Sequence, residues 1–217
     1  AKISTLIDTN APIAARKKYL YLSLVTNLGL LAFFKYFNFF VDSFHDLFLL
    51  VKLDLPKPAL RVILPIGISF YTFQALSYTI DVYRGKLHAT KSFWDFFLAV
   101  LFFPHLVAGP IQRASTLIAQ VVEPRKTTRT QVIDGLHLIM WGFFKKIYIA
   151  DRLAPIVNQV FNSSTPTGGE TLVAVIAFAF QIYCDFSGYT DIARGVAKLM
   201  GFEFMLNFNL PYFATNP

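Results

Sequence analysis

Leu172-Val-Ala-Val-Ile-Ala-Phe-Ala-Phe180 carries no charge, and Gln181-Ile-Tyr-Cys-Asp-Phe-Ser-Gly-Tyr-Thr-Asp191 follows it without a break. Two carboxylates and a glutamine thus arrive where a bilayer-spanning helix would still be deep. A carboxylate near the bilayer centre costs roughly 3 kcal/mol on insertion scales, so it needs a partner, a water-filled cavity or a shallow position. A soluble core helix could end this way at a surface, but the remainder of the chain argues against a soluble protein.

Hydrophobic residues make up 55% of the chain and charged ones 15%, with a mean hydropathy of +0.50. Soluble domains carry about 25% charged residues. The 24 phenylalanines push the same way, because a soluble chain of 217 residues has too little interior to hide them. The reading is an all-α, polytopic transmembrane protein; a barrel is excluded because the apolar runs are continuous and do not alternate. The net charge of +7 does not point to nucleic acid. Its basic residues cluster between apolar runs, as Arg16-Lys17-Lys18, as Arg84 with Lys86 and Lys91, and as Arg125-Lys126 with Arg129. That is how loops at an anionic cytoplasmic leaflet are built. Cys184, the single cysteine, excludes an internal disulfide and reads as a packing residue. The chain starts at Ala1 and stops at Asn216-Pro217 without a terminating pattern, so both ends read as cuts through something longer.

Residues 1–217 read as one membrane domain with spans at roughly 19–40, 60–80, 131–150 and 171–200. The first apolar block runs on past Phe40, and an interfacial turn is expected there. Pro65 and Gly67 predict a kink in the second span. Phe93 to Ile111 holds Pro104, Gly109 and Pro110, which would free backbone groups that lipid cannot satisfy, so a re-entrant or broken segment over 93–111 is expected. That arrangement leaves the basic loops 84–91 and 113–129 on the same, cytoplasmic side. The last span is expected to break around Ser187-Gly188, with Gly201 closing its C-terminus.

Gln181 and Asp185 are four apart and share a helix face, as do Ser187 and Asp191. Asp185 and Asp191, six apart, cannot share one unless Gly188 breaks the helix, so a paired-carboxylate acid/base site is a weak reading. Two alternatives stay open: that these groups line a substrate cavity, or that they brace helices, with Asp191 pairing to Arg194 or Lys198. His105 in the proline-rich segment could serve as a base or as a structural group. Asp134, His137, Trp141 and Lys145 form a stripe that reads as buried between helices. No metal-ligand spacing occurs, and no Walker, dinucleotide or Gly-x-Ser-x-Gly signature is present. Physics alone leaves enzyme and transporter, or channel component, undecided.

Six segments in order carry a resemblance. They are Leu64-Pro-Ile-Gly-Ile-Ser-Phe-Tyr-Thr-Phe-Gln74, Asp81-Val-Tyr-Arg-Gly85, Phe103-Pro-His-Leu-Val-Ala-Gly-Pro-Ile-Gln-Arg113, Gly142-Phe-Phe-Lys-Lys146 with Ala150-Asp-Arg-Leu-Ala-Pro155, Gln181 to Asp191, and Asn207-Phe-Asn-Leu-Pro-Tyr212. Together they resemble the membrane-bound O-acyltransferase family in its alginate O-acetyltransferase branch. The resemblance implies a multi-helix membrane fold with funnels meeting near the bilayer centre. It also implies transfer of an acetyl group from a cytoplasmic donor such as acetyl-CoA, with no bound cofactor, to hydroxyls of an extracytoplasmic polysaccharide. The implied setting is the bacterial inner membrane, with membrane lipids and an extracytoplasmic acetylation protein as partners. The family's catalytic histidine follows the Asn-Phe-Asn-x-Pro-Tyr stretch. No histidine occurs after His137, so that residue is expected beyond Pro217 and this segment alone is expected to be inactive. The candidate cavity-lining residues are Gln181, Asp185, Ser187, Tyr189, Asp191, His105, Gln112 and Arg113.

Overall fold

The computed structural model describes residues 2–8, 13–53, 56, 60–106, 109–110 and 112–215. Among them every regular element is helical, and two helices are long and apolar enough to cross a membrane. The chain divides into two compact units, residues 1–101 with 113–121, and residues 102–112 with 122–217.

In the first unit α1 (Lys2–Asp8) leads to α2 (Ile13–Leu50), a single helix of 38 residues. At 1.5 Å per residue it is about 57 Å long, well beyond the roughly 30 Å hydrocarbon layer. The turn expected after Phe40 does not form. No proline or glycine lies between Leu30 and Leu55 to stop the helix. The polar groups around that point are answered by residues 61 and 62: Asn38 donates to the Val62 carbonyl at 2.8 Å and accepts from its N–H at 3.0 Å, and Asp42 accepts from Arg61 at 2.9 Å. The expected 60–80 span is also shorter than predicted. Pro65 disfavours helix in the residue before it, and Gly67 takes φ 76°, so α3 (Ile68–Tyr83) begins there instead of kinking. Ser23 meets Thr79 at 3.4 Å between α2 and α3, and Arg16 donates to the carbonyls of Ile7 and Tyr83.

α4 (Phe93–Val100) is capped by Ser92, whose hydroxyl accepts from the Asp95 N–H at 3.2 Å, and it stops at Leu101. Phe103–His105 forms a 3-10 turn. Val107, Ala108 and Ile111 of the expected re-entrant segment lie outside the described residues, as does the side chain of His105. α5 (Ala114–Val122) follows.

The second unit is built on an antiparallel helix pair. One partner is α6 (Arg129–Phe143), continued without interruption by a π-helical stretch (Phe144–Ala150) and α7 (Asp151–Phe161). The other is α8 (Gly168–Leu199). Both start on reciprocal capping boxes, Thr128 with Gln131 and Thr167 with Glu170. The first therefore begins at Arg129, two residues ahead of the expected 131. At the other end Gly201, at φ 78°, closes α8: its N–H bonds to Lys198 and that of Phe202 to Ala197, the pattern of a Schellman cap.

The expected break at Ser187-Gly188 is absent, because Gly188 serves close packing. A Cβ on Gly142 would lie 2.6 Å from the Gly188 carbonyl oxygen, and one on Gly188 would lie 2.8 Å from that of Gly142. Seven residues away the contact repeats, with Gly135 and Gly195 at 2.8 and 2.5 Å. Two glycines on each helix, a heptad apart, let the backbones touch. Small residues at such crossings are the usual means of packing helices in lipid.

Candidate functional site

At the Gly142–Gly188 contact α6 passes into its π stretch, and two consecutive lysines emerge there. Lys145, on the same face as Gly142, forms an ion pair with Asp191; the side chains are 9% and 14% exposed. Lys146 pairs with Asp185 at 2.5 Å and with Asp151 at 2.9 Å, in a more open setting. The two carboxylates sit three residues to either side of Gly188, so the lysines grip α8 around the glycine crossing. π-helical turns are rare and gather at functional positions. Further along α8, Arg194 lies 3.5 Å from Asp191, and Lys198 reaches Glu203 at 3.1 Å and Asp134 at 3.9 Å.

The structure thus brings Gln181, Asp185, Ser187, Tyr189 and Asp191 onto one unbroken helix, with the two lysines as their charged partners. Asp185 and Asp191 do not share a face. Each is answered by its own lysine, and in this arrangement both brace the helix pair. The bracing partner of Asp191 is Arg194 together with Lys145; Lys198 goes elsewhere. Ser187 is 2% exposed and its Oγ has no hydrogen-bond partner; Gln181 Oε1, Gln112 Nε2 and Arg194 Nε are also buried and unpartnered. Native interiors hold few such groups, and here they concentrate among the residues selected for a polar cavity. Tyr189 is half-buried, and Arg113 is exposed and belongs to the first unit.

The stripe Asp134, His137, Trp141 and Lys145 is not buried as a whole: the first three are exposed. Gly135 and Gly142 define the face of α6 turned to α8. His137 and Trp141, two and six residues from Gly135, point away from it. What the sequence reading missed is the glycine heptad, whose signal was the equal spacing Gly135–Gly142 and Gly188–Gly195.

The Asn207–Tyr212 stretch folds back over the same helix. The Tyr212 hydroxyl donates to the Ala179 carbonyl at 2.6 Å, and its ring lies 5.6 Å from that of Tyr183. Phe208 packs on Phe186 at 5.1 Å and on Tyr183 at 6.0 Å. Leu210, at φ 48°, turns the chain there. Aromatic cover is thereby laid on both sides of Asp185. At the other end of α8, Phe202 packs at a tilt against Phe102, 4.4 Å between ring centroids, and carries the Arg125 guanidinium 3.9 Å above its ring.

No family model matches the sequence. Individual proteins do. A probable alginate O-acetylase of Azotobacter vinelandii is 44% identical over 196 residues, covering 90% of this chain and 39% of that protein. One of Pseudomonas aeruginosa is 43% identical over 198 residues, 91% of this chain and 38% of its own length. A peptidoglycan O-acetyltransferase of Helicobacter pylori is 32% identical over 99% of this chain and 45% of its own length. The chain spans about two-fifths of the length of the curated relatives it matches. The motif-bearing helix pair, the apolar membrane-type helices and identity along nine-tenths of the chain agree: this protein belongs to the membrane-bound O-acyltransferase family, in its alginate O-acetylase branch.

Proposed function

We propose that the whole protein is a multi-pass O-acetyltransferase of the bacterial inner membrane. It moves an acetyl group from a cytoplasmic thioester donor such as acetyl-CoA to hydroxyls of an extracytoplasmic polysaccharide, alginate or a similar cell-surface glycan. An extracytoplasmic acetylation protein is its partner. The observation that carries this reading is the identity of 43–44% to alginate O-acetylases across nine-tenths of the chain.

In the reaction the acceptor hydroxyl oxygen attacks the acetyl carbonyl, the carbon–sulfur bond breaks, and the hydroxyl proton passes to a base within hydrogen-bond reach. We assign the base to a histidine following the Asn207–Tyr212 stretch, outside this chain. The residues of this chain act as a scaffold. The ion pairs around Gly188 hold polar groups in an apolar helix pair, and the unpartnered Gln181, Ser187 and Gln112 offer hydrogen bonds to a hydrophilic group that must enter the bilayer.

The test supplies radiolabelled acetyl-CoA to inverted vesicles containing the whole protein and measures base-labile acetate in the polysaccharide fraction. Label in that fraction supports the reading. Unlabelled polysaccharide with every donor, alongside solute uptake by the same vesicles, would replace it with transport. The 217-residue chain alone should bind membranes and transfer nothing; turnover abolished by His105→Ala or His137→Ala would overturn the placement of the base.

A further inference from the structure

The ion pairs along α8 are unequal in charge. At one end Lys146 meets two carboxylates, Asp151 and Asp185; at the other Lys198 meets Asp134 and Glu203. In the middle the ratio inverts, and Asp191 alone faces two cations, Lys145 and Arg194. The acids at the two ends are at least half exposed, whereas the three central side chains are 9–16% exposed. The excess positive charge therefore sits in the least hydrated part of the row, where an uncompensated charge is most costly.

A second observation points the same way. Ser187 lies one turn before Asp191 on the same face, 2% exposed, and its hydroxyl has no partner. A buried helical hydroxyl ordinarily bonds back to the carbonyl four residues earlier, as Thr190 does to Phe186 at 2.9 Å. Ser187 does not. One turn beyond Asp191, Arg194 approaches that carboxylate at 3.5 Å through its terminal nitrogen, while its Nε–H is buried and unpartnered. Two idle donors thus lie one turn to either side of Asp191, whose single charge is outnumbered by Lys145 and Arg194. Asp191 is held by Lys145, which leaves the Nε edge of the guanidinium available, and a guanidinium edge suits an oxyanion.

We propose that Ser187, Arg194 and Lys145 form a binding site for a single anionic group, a carboxylate or a phosphate. Arg194 donates through Nε, Ser187 through its hydroxyl, and Lys145 supplies charge while Asp191 fixes the two cations in place. Such a group could come from a phosphate-bearing acyl donor or from a uronate acceptor; the chemistry of the site is common to both. The site goes beyond the acyl-transfer reading and does not depend on it.

The experiment titrates the purified protein in detergent with inorganic phosphate, ionic strength being held constant with chloride, and reads the thermal midpoint. The wild type should show a saturable, phosphate-specific rise. Arg194→Gln should weaken the apparent affinity about tenfold, and Ser187→Ala, which keeps every charge, about threefold. Lys126→Gln, an exposed cation in a loop, should change nothing. No rise beyond that with chloride, or a rise of equal affinity in the wild type and Ser187→Ala, overturns the site, and the serine variant decides the matter even if Arg194→Gln does not fold. Coenzyme A and a uronate disaccharide then replace phosphate: a Ser187-dependent response to the first alone assigns the donor, and to the second alone the acceptor. A Ser187-dependent response to phosphate with neither larger ligand upholds the anion site and counts against acyl transfer as its purpose.

Discussion

Replacing Gly142 by alanine tests whether the helix pair is set by backbone contact. The new Cβ would stand 2.6 Å from the Gly188 carbonyl oxygen, 2.7 Å from Ile192 Cγ1 and 2.9 Å from the Ile192 nitrogen. Ordinary contact begins at 3.4 Å, so α6 and α8 must part by about 0.8 Å at their crossing. Two of the three obstacles are backbone atoms, and no rotamer change relieves them. Overpacking of this kind costs about 1–3 kcal/mol. Alanine returns at most about 1 kcal/mol through helix propensity, and less when the unfolded state in detergent keeps its helices. The net expectation is a loss of about 1–2 kcal/mol, read from detergent-induced unfolding followed by Trp141 fluorescence. Gly29→Ala is the matched control: it lies within α2 with nothing within 4 Å of its Cβ. That substitution should range from no change to about 1 kcal/mol of stabilisation. Equal stability of the two variants would refute backbone contact as the reason for glycine at 142.

Lys145→Met leaves Asp191 with Arg194, whereas Asp191→Leu leaves two buried cations facing each other. The first should cost about 3 kcal/mol and the second about 5, in the same unfolding assay, and a reversed order would reject the charge pattern. Parting the helices also loosens the Lys145–Asp191 pair. Gly142→Ala should therefore cost about 1 kcal/mol less in a Lys145→Met/Asp191→Leu background, beyond the roughly 0.5 kcal/mol within which independent sites add. The Glu170 carboxyl is held below its usual range by the Thr167 backbone N–H and hydroxyl. Its folded value is depressed, so its contribution is whole above pH 4.5 and fades as pH falls through the lower folded value; Glu170→Gln should remove that contribution at neutral pH and flatten the stability curve below pH 4.5. Cysteines placed at Lys86 and Lys126 should both resist labelling from outside intact cells, and labelling of only one would contradict a common cytoplasmic side.

The helical, membrane-type character was readable because it rests on composition and on long uncharged runs, which survive any local error. The capping signal at Gly201 was readable for a similar reason: it depends on three or four neighbouring residues. Boundaries governed by distant contacts were not. Nothing local to Phe40 says that Asn38 and Asp42 will find Val62 and Arg61, and without those partners an interfacial turn is the better reading. Gly188 shows the same limit in a sharper form. A lone glycine in a polar stretch has two physical uses, to break a helix or to admit another backbone. Only the second glycine at heptad spacing, Gly195, and its counterparts on α6 distinguish them. The partner of Asp191 was sought on the same helix, since sequence spacing reveals neighbours at three and four residues and is silent about the helix opposite, where Lys145 lies.

The glycine heptad and the ion pairs are one device. Asp185 and Asp191 are about 240° apart around α8, so no single side chain from a neighbouring helix could answer both. Two adjacent lysines can do so only if they pass on either side of α8, and a lysine is long enough for that only where the helix axes come unusually close. The Gly142–Gly188 crossing supplies the approach, and Lys145 and Lys146, in the π stretch that starts at Phe144, reach Asp191 and Asp185 from it. The carboxylate cost in an apolar helix is thereby met at one point of contact. The same geometry leaves Lys145 and Arg194 sharing a single acid beside an idle serine, which is why the charge surplus falls at the centre of the helix pair and not at its hydrated ends.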